Sequence, residues 1–97
     1  MKEEYKIYHN FPSVWLGAWE SVNGNPDMYI FQGYGGNCYL LIYSYDKESE
    51  RGSFSCYDIN LDKDGWYIQM GIRCSRLTPE ESPFGLRIAG WGSYMKC

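Results

Sequence analysis

Trp66-Tyr67-Ile68-Gln69-Met70-Gly71-Ile72-Arg73-Cys74-Ser75 is the stretch that decides the fold. Trp66, Ile68, Met70, Ile72 and Cys74 alternate with Tyr67, Gln69, Gly71, Arg73 and Ser75. Successive side chains of a strand point to opposite faces, so a period of two predicts one strand with one face in a core. Asp62-Lys63-Asp64-Gly65 precedes it, and Asp-Gly is a strong hairpin signal. Residues 54–61 are therefore its antiparallel neighbour. Their apolar phase changes between Cys56 and Tyr57, which predicts a bulge.

The same reading extends in both directions. Residues 15–22 and 27–32 read as strands joined by the turn cluster Asn23-Gly24-Asn25-Pro26. On the second of these, Met28 and Ile30 share one face, and Tyr29 and Phe31 the other. Gly33-Tyr34-Gly35-Gly36 closes a hairpin onto residues 37–46, which are apolar on both faces. Cys38, Leu40 and Ile42 lie on one side, and Tyr39, Leu41, Tyr43 and Tyr45 on the other. A strand apolar on both sides is covered on both sides or carries a binding surface. Residues 78–83 read as a loop with two prolines, and Phe84, Leu86 and Ile88 alternate on a sixth strand. Gly90-Trp91-Gly92 ends that pattern and a short tail follows. Residues 1–10 read as a frayed lead-in or an edge strand.

About six strands, and five to eight at the limits, are joined by short turns, with no helix long enough for a parallel crossover. The expectation is one all-β domain over residues 1–97: an antiparallel meander that closes into a small barrel or curls strongly to cover its edges. Composition agrees. Aromatics are 19% of the 97 residues, including ten Tyr and four Trp, and such side chains suit a pleated, half-buried surface.

Charge and cysteine usage narrow the function. The net charge is −3 and the nine Lys and Arg are scattered, which argues against a nucleic-acid partner. No segment approaches the roughly 18 apolar residues of a membrane helix, and the first residues do not read as a signal peptide, so the cytoplasm is the expected location and no membrane partner is expected. Cys38, Cys56, Cys74 and Cys97 then read as thiols. The first three are expected to be small apolar strand residues and Cys97 exposed. No Cys-x-x-Cys pair points to zinc.

Catalytic patterns fail one by one. Asp58-x-Asn60-x-Asp62-x-Asp64-Gly65 looks like a calcium loop, yet Gly71 stands where the bidentate Glu is required, and a hairpin turn with solvated carboxylates is the expected reading. The glycines at 33–36 lead into a strand, not the helix that a phosphate cradle needs. His9 is the one histidine, and the carboxylate pair Glu80-Glu81 sits in a Pro-flanked loop. No catalytic residue, metal or cofactor is implied, so the chain reads as a non-enzyme. The aromatics remain: Tyr39, Tyr43, Tyr45, Tyr57 and Tyr67 fall opposite the faces assigned to the core. If their strands are neighbours, they form a binding surface suited to a sugar or to a protein partner, self-association included.

Leu16-Gly17-Ala18-Trp19 carries Gly-x-Trp after a closing turn at Pro12-Ser13-Val14-Trp15, and resembles the opening of lipocalin-like (calycin) barrels. The resemblance implies that Trp19 plugs one barrel end, with a basic residue of the last strand stacked over it; Arg87, in Gly85-Leu86-Arg87-Ile88, is the matching position. It also implies a rival function, a binder of a small apolar or aromatic ligand in a pocket lined by residues such as Leu40, Ile68 and Met70. The order Gly-x-Trp, then Asn25-Pro26-Asp27-Met28-Tyr29-Ile30-Phe31, resembles a family of short, uncharacterised bacterial proteins often encoded on conjugative elements, which implies a link to mobile-element biology.

Overall fold

A computed structural model describes residues 11–80 and 85–97. The readings of residues 1–10 with His9, of Glu81 and of Phe84 lie outside the described residues. Among the described residues, eight strands follow one another: β1 (Gly17–Ser21), β2 (Met28–Gln32), β3 (Cys38–Asp46), β4 (Arg51–Asp62), β5 (Gly65–Met70), β6 (Arg73–Pro79), β7 (Gly85–Ile88) and β8 (Gly92–Lys96). Each pairs antiparallel with the next, and β8 pairs back onto β1, so the meander is a closed barrel. Closure leaves no open edge around the barrel wall.

The register sorts side chains into two sets. Trp19 faces Met28 and Lys96, Ile30 faces Leu40, Cys38 faces Ile59, Ile59 faces Ile68, Leu77 faces Ile88, and Leu86 faces Tyr94. All of these except Lys96 are buried, and they form one cluster with Phe11, Trp15 and Ile42. Burying a large apolar side chain contributes roughly 1.5–3 kcal/mol, so this interior is the main source of stability.

Two strands beyond the expected six account for the closure. The alternating run at 66–75 is not one strand. Gly71 takes φ +62 and turns the chain, and Met70 pairs with Arg73 across it. Ile72 stands fully exposed at the tip and Cys74 is exposed, while Ser75 and Leu77 face inward. The apolar period continued through the turn only because Ile72 and Cys74 kept the parity that the core face of β5 had set. The tail after Trp91 is the eighth strand and closes the barrel.

The expected bulge in β4 is absent. The β3–β4 ladder runs unbroken from Cys38 opposite Ile59 to Asp46 opposite Arg51. The apparent phase change arises because Phe54 and Cys56 face out while Tyr57 and Ile59 face in. Cys56 is therefore exposed, as are Cys74 and Cys97, and of the four free thiols only Cys38 is buried. Residues 58–65 form a hairpin, as read. Asp62 is more than a solvated carboxylate, however, for Arg76 grips both of its oxygens at 2.6 and 2.7 Å.

Candidate functional site

One end of the barrel is sealed by aromatics. A single 3-10 turn, Ser13–Trp15, brings Trp15 under the barrel, and its carbonyl accepts the Trp19 Nε1–H at 2.8 Å. Phe11 meets Trp15 and Trp66 edge-on, with centroids 5.7 and 4.9 Å away. Trp19 is buried at this end. The cation over its ring is not Arg87. Leu86 and Ile88 face inward, so Arg87 between them points out of the barrel, exposed, opposite Thr78 and Ser93. The cation is Lys96, whose Nζ lies 5.1 Å from the Trp19 ring and donates to the carbonyls of Val14, at 2.8 Å, and Leu16. Gly17 makes this geometry accessible. Its φ is +122, and a Cβ there would sit 3.0 Å from Lys96 Nζ. This end of the molecule is closed by packed side chains.

The outer face of β2, β3 and β4 is different. Tyr29, Phe31, Tyr39, Leu41, Tyr43 and Phe54 point away from the core and are neighbours in register: Phe31 opposite Tyr39, Tyr29 opposite Leu41, and Tyr43 opposite Phe54. Their rings pack on one another. Tyr29 stacks on Phe31 at 6.2 Å, Phe31 lies 5.4 Å from Tyr39, and Tyr43 lies 4.8 Å from Phe54. Yet three of them stay wet, Tyr29 at 48% exposed, Tyr43 at 44% and Phe54 at 66%, while Phe31, Tyr39 and Leu41 are half-buried. Cross-strand aromatic pairs stabilise any sheet by roughly 0.2–1 kcal/mol each, but that does not call for this much exposed apolar area in one patch. The rings are also held in place. Tyr43 lies across Gly52, where a Cβ would come within 2.1 Å of its hydroxyl.

The five tyrosines singled out in the sequence do not form one group. Tyr39, Tyr43 and Tyr45 share the outer face of β3. Tyr57 stands opposite Leu40, on the inner face, half-buried against the core; the apolar phase that suggested a bulge had placed it outside. Tyr67 faces outward on β5, half-buried, with the Arg76 guanidinium 5.1 Å above its ring. The sequence reading missed Tyr29, Phe31 and Phe54. For β2 the signal was present, since that strand, like β3, is apolar on both faces.

No family model, curated protein or solved structure matches this chain.

Beyond residue 42 the β3–β4 hairpin leaves the barrel. β2 pairs with β3 only as far as Met28 opposite Ile42, and β5 pairs with β4 only from Ile59 onward. Residues 43–55 therefore form a two-stranded ribbon, exposed throughout. Two grooves lie at its root. One, of about 190 Å³, is lined by Asp27, Met28, Tyr29, Leu41, Tyr43 and Phe54. The other, of about 420 Å³, lies between residues 24–27 and residues 43–45. Asp27 and Tyr43 line both.

The loop beside these grooves is firmly tied. Ser21 Oγ accepts the amides of Asn23 and Asn25, Asn25 Nδ2 donates to the Trp91 carbonyl, and Tyr94 Oη donates to the Pro26 carbonyl at 3.2 Å. Burial, first of all, raises the Tyr94 phenol, and the Asp27 charge adds to that. Asp27 Oδ1 accepts the Ser21 amide at 3.1 Å. Among the described residues no group of three His, Cys, Asp or Glu is placed to hold a metal ion, and no helix is long and apolar enough to cross a membrane.

Proposed function

We propose that this protein is a non-enzymatic interaction module that binds a protein partner through the outer aromatic face of β2–β4. One observation carries the reading: Tyr29, Phe31 and Tyr39 pack ring to ring, Tyr43 packs on Phe54, and Tyr29, Tyr43 and Phe54 stay exposed on the same outer face. Rigid aromatic side chains lose little conformational freedom on binding and dominate the centres of protein interfaces. A role in conjugation or mobile-element biology belongs to the proposal through the likeness at residues 17–19 and 25–31.

The rival, a binder of small apolar ligands inside the barrel, has less support. Leu40 and Ile68, which would line its pocket, have no exposed surface and pack in the common core cluster.

Affinity capture from the native lysate tests the proposal, comparing the wild-type chain with a Tyr43→Ser/Phe54→Ser variant of the same thermal stability. A species held by the wild type and released by the variant supports the reading. Equal capture by both, or capture by neither, contradicts it.

A further inference from the structure

We propose that the partner presents an extended, basic segment, which adds as a strand to the open edge of β3 at residues 43–46 and places an Arg or Lys side chain against Asp27. The inference rests on the interaction reading and deepens it.

The edge comes first. Pairing of β2 with β3 stops at Met28 because Pro26 lacks the N–H that a further rung needs, and because Tyr94 and Asn25 draw the preceding loop toward β8. Residues 43–46 keep β4 on one side and have no strand on the other among the described residues. An unpaired row of backbone donors and acceptors is a template for an added strand. The groove between residues 24–27 and 43–45 runs along this edge.

Charge and ring placement then select the occupant. Among the described residues no Lys or Arg lines either groove, while Asp27 lines both. Tyr29 and Tyr43 line the same groove as the Asp27 carboxylate. A guanidinium or ammonium entering there meets a carboxylate together with aromatic rings, two attractions that reinforce each other. Asp46 closes the far end of the edge. A second copy of this chain, itself at net charge −3, fits less well because it brings like charge to the same place.

The probe is the capped hexapeptide Arg-Val-Arg-Val-Arg-Val, titrated into the isotope-labelled chain and followed by amide NMR. Its controls are Glu-Val-Glu-Val-Glu-Val and the arginine peptide N-methylated at alternate residues, which keeps its charge but cannot pair as a strand. The expected result is saturable shifts at residues 27–29 and 43–46 with the arginine peptide alone. Asp27→Asn is expected to weaken binding about ten-fold, and Ser44→Pro to abolish it. If Ser44→Pro unfolds the ribbon, Asp27→Asn decides.

Equal response to the methylated peptide, shifts centred elsewhere, or no shift overturns the inference. So do shifts at these amides on concentrating the chain alone, which identify a second copy as the occupant. If the peptide fails while the Tyr43→Ser/Phe54→Ser variant still loses its captured partner, strand addition is wrong and the interaction reading stands.

Discussion

Lys96, the last residue of the last strand, lies over the indole of Trp19 in the first, with its ammonium 5.1 Å from the ring. This contact joins the two ends of the meander, because Trp19 and Lys96 are also directly opposite in the β1–β8 ladder. Replacing Lys96 with Met keeps the aliphatic stem but leaves the Val14 and Leu16 carbonyls without their donor. The expected loss is about 2 kcal/mol in denaturant unfolding. Gly17→Ala is expected to cost a similar amount, from its positive φ and from displacement of Lys96. Because part of that cost acts through Lys96, the two substitutions combined should cost less than their sum.

Acid should loosen the β4–β5 hairpin. The bidentate hydrogen bond from Arg76, first of all, lowers the Asp62 carboxyl from 3.8 to about 2. A carboxylate depressed in the folded state adds stability that is fully present above its unfolded pKa and is lost as the pH falls through the folded value. The contribution is therefore complete above about pH 4 and disappears on the way to about pH 2. The urea midpoint of the wild type is expected to fall more steeply across this window than that of Asp62→Asn, which should be less stable at neutral pH. Parallel curves would contradict this.

Thiol chemistry should separate the cysteines. Cys56, Cys74 and Cys97 are exposed, whereas burial raises the Cys38 thiol. Thiolate is the reactive form. With a chromogenic disulfide reagent in native buffer, three thiols should titrate promptly and the fourth only on unfolding. Four prompt thiols would show that the β3 inner face is open.

Ser75 occupies a core position across from Ile68, fully buried, and its hydroxyl has no hydrogen-bond partner among the described protein atoms. A buried unsatisfied hydroxyl costs about 1–3 kcal/mol. Ser75→Ala is thus expected to be neutral or to raise the unfolding midpoint, unlike most core substitutions. A clear destabilisation would show that the hydroxyl is satisfied.

The first three strands were legible because their turns are marked by Asn-Gly, Pro and Gly clusters and their core faces carry Met28, Ile30, Cys38, Leu40 and Ile42 without interruption. The turn at Gly71 was hidden by Ile72 and Cys74, apolar residues that continued the period by coincidence. Their exposure depends on which strand β6 pairs with, which local periodicity does not encode. β8 was hidden because a five-residue strand whose inner positions are Gly92, Tyr94 and Lys96 carries almost no apolar pattern. It exists because β1 and β7 both need a neighbour. The same ignorance of pairing misplaced Arg87 and Tyr57: parity with Leu86 and Ile88 turns the first outward, and parity with Ile59 turns the second inward. The aromatic face was half visible. Tyr39, Tyr43 and Tyr45 lie on the outer face of β3, as their alternation implies, but joining them to Tyr29, Phe31 and Phe54 required the register of three strands.

Binding through the outer aromatic face is tested by placing a photo-crosslinking phenylalanine analogue at Phe54, on that face, and separately at exposed Thr78 on β6, with irradiation of each chain in its native lysate. A discrete crosslinked adduct is expected from position 54 and none from position 78. Adducts of equal yield from both positions, or from position 78 alone, would contradict it.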